Sequence, residues 1–197
     1  MQQFIANVGL ALFLALIISY IWARFKFFKV STKFSRASTY IYDPVVAIQI
    51  ATTIYHFLTY RPLPIDCYLA AVAAYLLSLS TFWWVILSND QLNFAFEKNV
   101  GKLITSGPFS IVRHPLYFSY IVTWSTGTLL FHSSLLLITL AFLVYFYVIA
   151  AFQEEGLMIN SLRGNEYTKY RRNVGMFIPK ATQWKKWISG LFRIQTR

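Results

Sequence analysis

Apolar residues run from position 4 to position 22 without a charge, close to the roughly 20 residues that carry a helix across a hydrocarbon core. The pattern predicts a first membrane span there. Four further apolar runs follow at residues 44–59, 67–88, 116–131 and 135–152. The second is short and interrupted by Gln49 and His56, which suits burial among other helices or a partly re-entrant path. Pro44 is expected in its first turn, where the missing N–H costs nothing. The third run closes on Phe82-Trp83-Trp84, read as an aromatic belt at the water interface. His132-Ser133-Ser134 is a tight connection, so the fourth and fifth runs should form an antiparallel helical hairpin.

Between these runs lie polar segments, and their charges give the chain an orientation. Of its eighteen Lys and Arg residues, seventeen fall on one side of a five-crossing scheme, with Arg61 alone opposite. The positive-inside rule then sets the N-terminus outside or lumenal and the C-terminus in the cytoplasm. Residues 4–22 follow an uncharged Met1-Gln2-Gln3 and precede no small-residue cleavage site, as expected of a retained span. Trp184-Lys185-Lys186-Trp187 in the tail mixes cations and indoles as an interfacial segment on an anionic leaflet would.

Composition agrees with this class. The 197 residues are 57% hydrophobic and 13% charged, whereas soluble domains carry about a quarter charged residues. The net charge of +11 therefore reflects membrane topology and not a nucleic-acid-binding face. One cysteine, Cys67, excludes an intramolecular disulfide framework. His56 and His132 match no metal-ligand spacing, and no metal site is expected. No phosphate-binding glycine loop or nucleophile elbow is present either.

Chemistry concentrates in two places. Thr105-Ser106-Gly107-Pro108-Phe109 turns the chain toward Arg113-His114-Pro115-Leu116-Tyr117, where polar sequence meets the fourth span. Glu154-Glu155, the only adjacent pair among seven carboxylates, follows Phe152 at the end of the fifth span. A charge near hydrocarbon costs about 2.5 to 3.5 kcal/mol on insertion scales, so such a pair calls for a cationic partner or a polar ligand. The hairpin should bring Arg113-His114 and Glu154-Glu155 to one bilayer face. A plain structural salt bridge at a helix end would account for the same residues. Tyr167, Tyr170, Arg171 and Arg172 follow in an amphipathic helix, where interfacial anchoring is the simpler role.

Taken together, Leu103-Ile104-Thr105-Ser106-Gly107-Pro108-Phe109, Val112-Arg113-His114-Pro115-Leu116-Tyr117, Glu154-Glu155, Gly164-Asn165-Glu166-Tyr167-Thr168-Lys169-Tyr170 and Phe177-Ile178-Pro179 resemble a known family. It is that of the integral-membrane methyltransferases, including isoprenylcysteine carboxyl methyltransferase and the phospholipid N-methyltransferases. The pattern departs from many members at Gly101, Phe109 and Ser119, where a His or polar residue, a Tyr and a Gly are common.

The resemblance implies an all-α integral membrane protein of about five transmembrane helices, with a cytoplasmic C-terminal cofactor-binding region. Residues 1–100 would supply N-terminal helices and a basic loop, 101–180 the methyltransferase-like region, and 181–197 a basic interfacial tail. S-adenosylmethionine is the implied cofactor, held by Gly107, Pro108, Arg113, His114, Pro115, Tyr117, Glu154, Glu155 and Tyr167, with Arg113 and Glu155 central to catalysis. The partners would be membrane lipids and a lipophilic methyl acceptor, either a prenylcysteine-like carboxylate or a lipid amine. A membrane sterol-type reductase using NADPH, or a non-catalytic assembly or transport protein, are the competing readings.

Overall fold

A computed structural model describes residues 1–26, 36–59, 63–88 and 103–180. They form six α-helices: α1 (Gln2–Lys26), α2 (Arg36–Leu58), α3 (Ile65–Ser88), α4 (Pro115–Phe131), α5 (Ser134–Ile159) and α6 (Gly164–Asn173), with a short 3-10 turn at Gly107–Ser110. Helices occur at all five apolar runs. By length and apolarity, α1, α3 and α5 are able to cross a membrane. At 17 residues α4 is shorter, about 25 Å at 1.5 Å per residue, and α2 carries Asp43, Gln49 and His56. The basic residues Lys29, Lys33, Arg61, Lys98 and Lys102, position Gly101, and the tryptophans of the tail lie outside the described residues.

Two boundaries differ from the sequence pattern. Pro44 lies well inside α2 and not in its first turn, so the helix loses the bond that residue 44 would donate to the Tyr40 carbonyl. Tertiary contacts hold the extra turns. Tyr42 packs its ring 4.5 Å from Phe146 and its hydroxyl 3.0 Å from that of Tyr147, while Arg24 at the end of α1 grips Asp43 at 2.7 and 2.8 Å. Likewise α5 continues past Phe152 to Ile159, so Glu154 and Glu155 sit on the helix itself, about 100° apart around its axis.

The helices pack as two groups that share α4: α1 and α4 lie on α3, and α2 and α5 complete the bundle, with α6 against α5. Phe13, Tyr75, Phe82, Leu136, Leu143 and Tyr147 are among the core side chains. Phe82 is buried and Trp83 stacks on Trp22 at 5.4 Å. Of the expected belt, only Trp84 is turned outward. Large apolar side chains such as Ile138, 68% exposed, cover the outer faces, as expected where lipid is the solvent.

Without a hydrophobic drive between helices in lipid, small and hydroxylated residues hold such bundles together. Here Tyr20 of α1, Ser78 of α3, and Ser119 and Thr123 of α4 bring their hydroxyls to within 2.7–3.0 Å of one another. Gln49 is fully buried. It donates to the Trp124 carbonyl and the Thr128 hydroxyl at 3.3 Å and accepts from Thr139, tying α2 to α4 and α5. Ser119, one of the departures from the family pattern, is thus a node of the first network.

The turn between α4 and α5 places His132 at φ 51°, ψ 36°, its N–H bonded to the Thr128 carbonyl. A β-carbon in that left-handed region costs roughly 1–2 kcal/mol. His132→Gly is expected to raise stability by about 1 kcal/mol, read as a higher SDS midpoint in detergent unfolding; a lower midpoint would show that the imidazole makes a compensating contact.

Candidate active site

Pro115 opens α4 at its first position, where a proline costs no hydrogen bond, and this fixes Arg113 and His114 at the mouth of the α4–α5 hairpin. The preceding backbone is paired, not loose. Val112 forms an isolated parallel bridge with Gly175, and the N–H groups of Arg113 and His114 donate to the carbonyls of Gly175 and Met176 at 2.8 and 3.1 Å. The turn that follows this pairing needs glycine at 175, because a β-carbon there would stand 1.8 Å from the Ile178 carbonyl oxygen.

Arg113 is 9% exposed and its donors point inward. Nε and Nη2 each lie 2.8 Å from Glu155 Oε1. Nη1 donates to the carbonyls of Val174 and, at 3.3 Å, Arg171, groups that the end of α6 leaves without helical partners. One guanidinium therefore joins α5, α6 and the segment after it. Glu155, 2% exposed, also has His114 Nε2 at 3.2 Å on Oε1 and Arg171 Nε at 3.1 Å from Oε2.

Glu154 has different surroundings. Its side chain is 40% exposed, with Oε2 3.4 Å from His114 Nδ1, and Oε1 accepts the Tyr117 hydroxyl at 2.5 Å. His114 thus sets one ring nitrogen toward each glutamate. Its ring stacks on Tyr117 at 5.7 Å and 15°, and Tyr117 stacks in turn on Tyr147 at 5.4 Å. Burial opposes charging the imidazole, but hydrogen bonds to Glu154 and Glu155 and their negative charge outweigh it, and its pKa is raised.

The remaining expected residues frame this centre. Tyr167 is buried on α6 beside Arg113 and Glu155, and burial first, then the Glu155 charge, keeps its phenol protonated. Tyr170 donates to the Phe109 carbonyl at 2.7 Å, so α6 also holds the 3-10 turn. Gly107, at φ 59°, makes that turn possible and lies against Ser88 of α3. Lys180 Nζ closes the end of α6 on the carbonyls of Arg171 and Arg172 at 3.1 and 2.9 Å. Beside the Val112–Pro115 backbone, an apolar groove of about 440 Å³ runs along Leu77, Thr81 and Trp84 of α3, past Pro108 and Phe118 to Pro179.

Arg113, His114, Tyr117, Glu154, Glu155 and Tyr167 therefore meet in space, while Gly107, Pro108 and Pro115 shape the backbone around them. Residues 67–163 match the phospholipid methyltransferase family model. No curated protein matches the chain significantly. The phospholipid methyltransferase match begins in α3, takes in the whole α4–α5 hairpin with Arg113 through Glu155, and stops just before α6. It points to a methyltransferase seated in a membrane. Tyr167, Arg171 and Gly175 lie beyond the matched segment, yet their contacts complete the site.

Arg171 and Gly175 were not expected at the site from sequence. Arg171 reads as one of several basic residues on an amphipathic helix, and a single glycine after Val174 carries no signal until its bridge to Val112 is seen.

His114 gives the site a pH dependence. Because its folded pKa is raised, its stabilising contribution is complete below about 6.5 and is lost as pH climbs through the raised value. Wild-type protein is therefore expected to lose thermal stability as pH rises above about 6.5, and His114→Gln to flatten that part of the curve. Equal slopes in both proteins would count against the bridged imidazolium. Gly175→Ala is expected to break the Val112 bridge, seen as faster hydrogen exchange at the Arg113 and His114 amides than in wild type; unchanged exchange would mean that the Ile178 carbonyl simply moves aside.

Proposed function

We propose that the protein transfers a methyl group from S-adenosylmethionine to a lipophilic acceptor at the cytoplasmic membrane face. The observation that carries this reading is the convergence of Arg113, His114, Tyr117, Glu154 and Glu155 at one end of an apolar hairpin, inside the segment that matches phospholipid methyltransferases. In this reading five helices cross the bilayer, the N-terminus is outside, and the basic segments lie on the cytoplasmic side. A bacterial inner membrane and an endoplasmic reticulum membrane both suit that orientation.

When bound, S-adenosylmethionine supplies a methyl group activated on a sulfonium centre. The residues present fit such a ligand, which needs both signs of charge and flat apolar surfaces: the half-exposed Glu154 carboxylate stands beside the imidazole of His114, with the rings of Tyr117 and Phe177 close by. Gly107, Pro108, Pro115 and Tyr167 shape and close the walls. Arg113 and Glu155 act from behind this surface, because their mutual contacts hold the C-terminal segment in place. Their part is to keep the reacting groups aligned and water out, which is where much of a transfer enzyme's rate arises.

The apolar groove along α3 suits an acyl or prenyl chain. The family description favours a phospholipid, and a lipid amine fits the exposed Glu154 better than a prenylcysteine carboxylate, which its charge would repel. Calorimetry on detergent-purified protein is expected to show binding of S-adenosylmethionine and none of NADPH. Arg113→Ala and Glu155→Ala should each abolish that binding while helical circular dichroism persists. Absence of S-adenosylmethionine binding to the wild type would sink the proposal.

A further inference from the structure

We propose that the groove beside α3 seats an acyl chain of a diacyl phospholipid acceptor, and that the Trp84 indole and the Ser88 hydroxyl at its polar end select the ester oxygens of that lipid; the proposal rests on the methyltransferase reading above. Leu77, Thr81 and Trp84 recur on α3 at helical spacing, on a face turned away from the core residues Tyr75, Ser78, Phe82 and Val85. Leu77 is 53% and Trp84 43% exposed, on a helix able to cross a membrane, so the groove opens toward hydrocarbon. Across from them lie Pro108, Val112, Pro115 and Phe118, and none of the described residues lining the groove is charged. From Leu77 to Trp84 the helix advances about 10 Å, which gives a chain an apolar path from the water interface into the bilayer.

Two donors stand at the polar end of that path. A β-carbon at Gly107 would lie 3.5 Å from Ser88 Oγ and 3.9 Å from Trp84 Nε1, so both groups face a residue without a side chain. Among the described residues, neither side chain has a hydrogen-bond partner. An indole N–H donates only, and at a membrane interface it is best placed where an acceptor can meet it. The ester carbonyls of a diacyl lipid are such acceptors at the head of each chain. Ether-linked and prenyl chains carry none, so these two donors distinguish an acylated glycerolipid from them.

The groove also has a fixed relation to the polar centre. Pro115 and Phe118 line the groove, while His114 and Tyr117 meet Glu154. At about 100° per residue, these two pairs occupy neighbouring faces of the first turn of α4. A lipid whose chain lies in the groove therefore presents its headgroup at the turn that carries His114 and Tyr117. Its chain stays on the hydrocarbon side of Pro115, clear of the residues that meet Glu154 and Glu155.

The test measures radiolabelled methyl transfer in mixed micelles by wild type, Trp84→Phe, Ser88→Ala and Thr81→Trp. Acceptors are diacyl phosphatidylethanolamine and its dialkyl ether analogue of equal chain length; helical circular dichroism and unchanged S-adenosylhomocysteine affinity confirm that each variant is folded. Wild type is expected to show a lower KM for the diacyl lipid, by roughly 2- to 12-fold for each hydrogen bond the ether forgoes. Trp84→Phe and Ser88→Ala should raise the diacyl KM alone, so that the preference shrinks. Thr81→Trp fills the groove and should raise KM for both lipids by on the order of tenfold, with kcat unchanged, the pattern of lost uniform binding. A wild type without the diacyl preference overturns the proposal, as does a preference that survives in both Trp84→Phe and Ser88→Ala. Thr81→Trp that melts at lower temperature yet keeps its KM would make the groove a seat for a structural lipid, and overturns it as well. Wild type that methylates a farnesylcysteine carboxylate but not phosphatidylethanolamine overturns it while leaving the methyltransferase reading intact. Wild type that binds no S-adenosylhomocysteine defeats both.

Discussion

The buried contact between Arg113 and Glu155 is the constraint on which the rest of the site depends. Both side chains are almost wholly removed from solvent, and the desolvation of two such charges consumes most of their attraction. What the pair supplies is position. Arg113 reaches α5 through Glu155, and through two carbonyls it reaches the end of α6 and the chain beyond it. A lysine would deliver the charge without the planar set of donors that addresses three partners at once. Removing either member leaves the other buried and unpaired, which is far more costly than the pair is favourable.

That clamp acts only because the bundle presents its two halves at the right height. α4 and α5 are joined by a turn so tight that His132 adopts a left-handed conformation, and the hairpin returns Glu154 and Glu155 to the level of His114. Within the bundle, buried hydroxyls and the Gln49 amide connect α1 through α5. In lipid such contacts fix rotation and depth as much as they stabilise. The stacked rings of His114, Tyr117 and Tyr147, the last joined to Tyr42 through its hydroxyl, then carry this fixed geometry outward to the polar centre.

Two glutamates on adjacent positions of one helix illustrate how a fold assigns roles to identical side chains. The angle between them turns Glu155 into the interior, against three cationic groups, and leaves Glu154 at the edge with a phenol and an imidazole. The inward carboxylate joins three segments, and the outward one keeps part of its surface open. The apolar groove along α3 is lined in part by Val112 and Pro115, the neighbours in sequence of Arg113 and His114.

Much of this was readable from the order of residues. Apolar runs located the five long helices, because in a membrane only a helix or a closed barrel satisfies the backbone, and Pro115 marked the start of α4. The short hairpin forced Arg113-His114 and Glu154-Glu155 together, and the family resemblance rested on those same residues. Pattern alone misjudged Pro44, because packing of Tyr42 and the Arg24–Asp43 contact extend α2 past a residue that normally begins a helix. It likewise assigned Phe82 to the interface when the fold turns it into the core. The role of Gly175 had no signal in the chain, and Arg171 read as an interfacial anchor, since the Val112 bridge and the contact of Arg171 with Glu155 exist only once the segments are folded together. Which glutamate is buried and which stands at the edge was also beyond the sequence. Both are the same residue on the same helix, and only the rotation of α5 against α4 and α6 tells them apart.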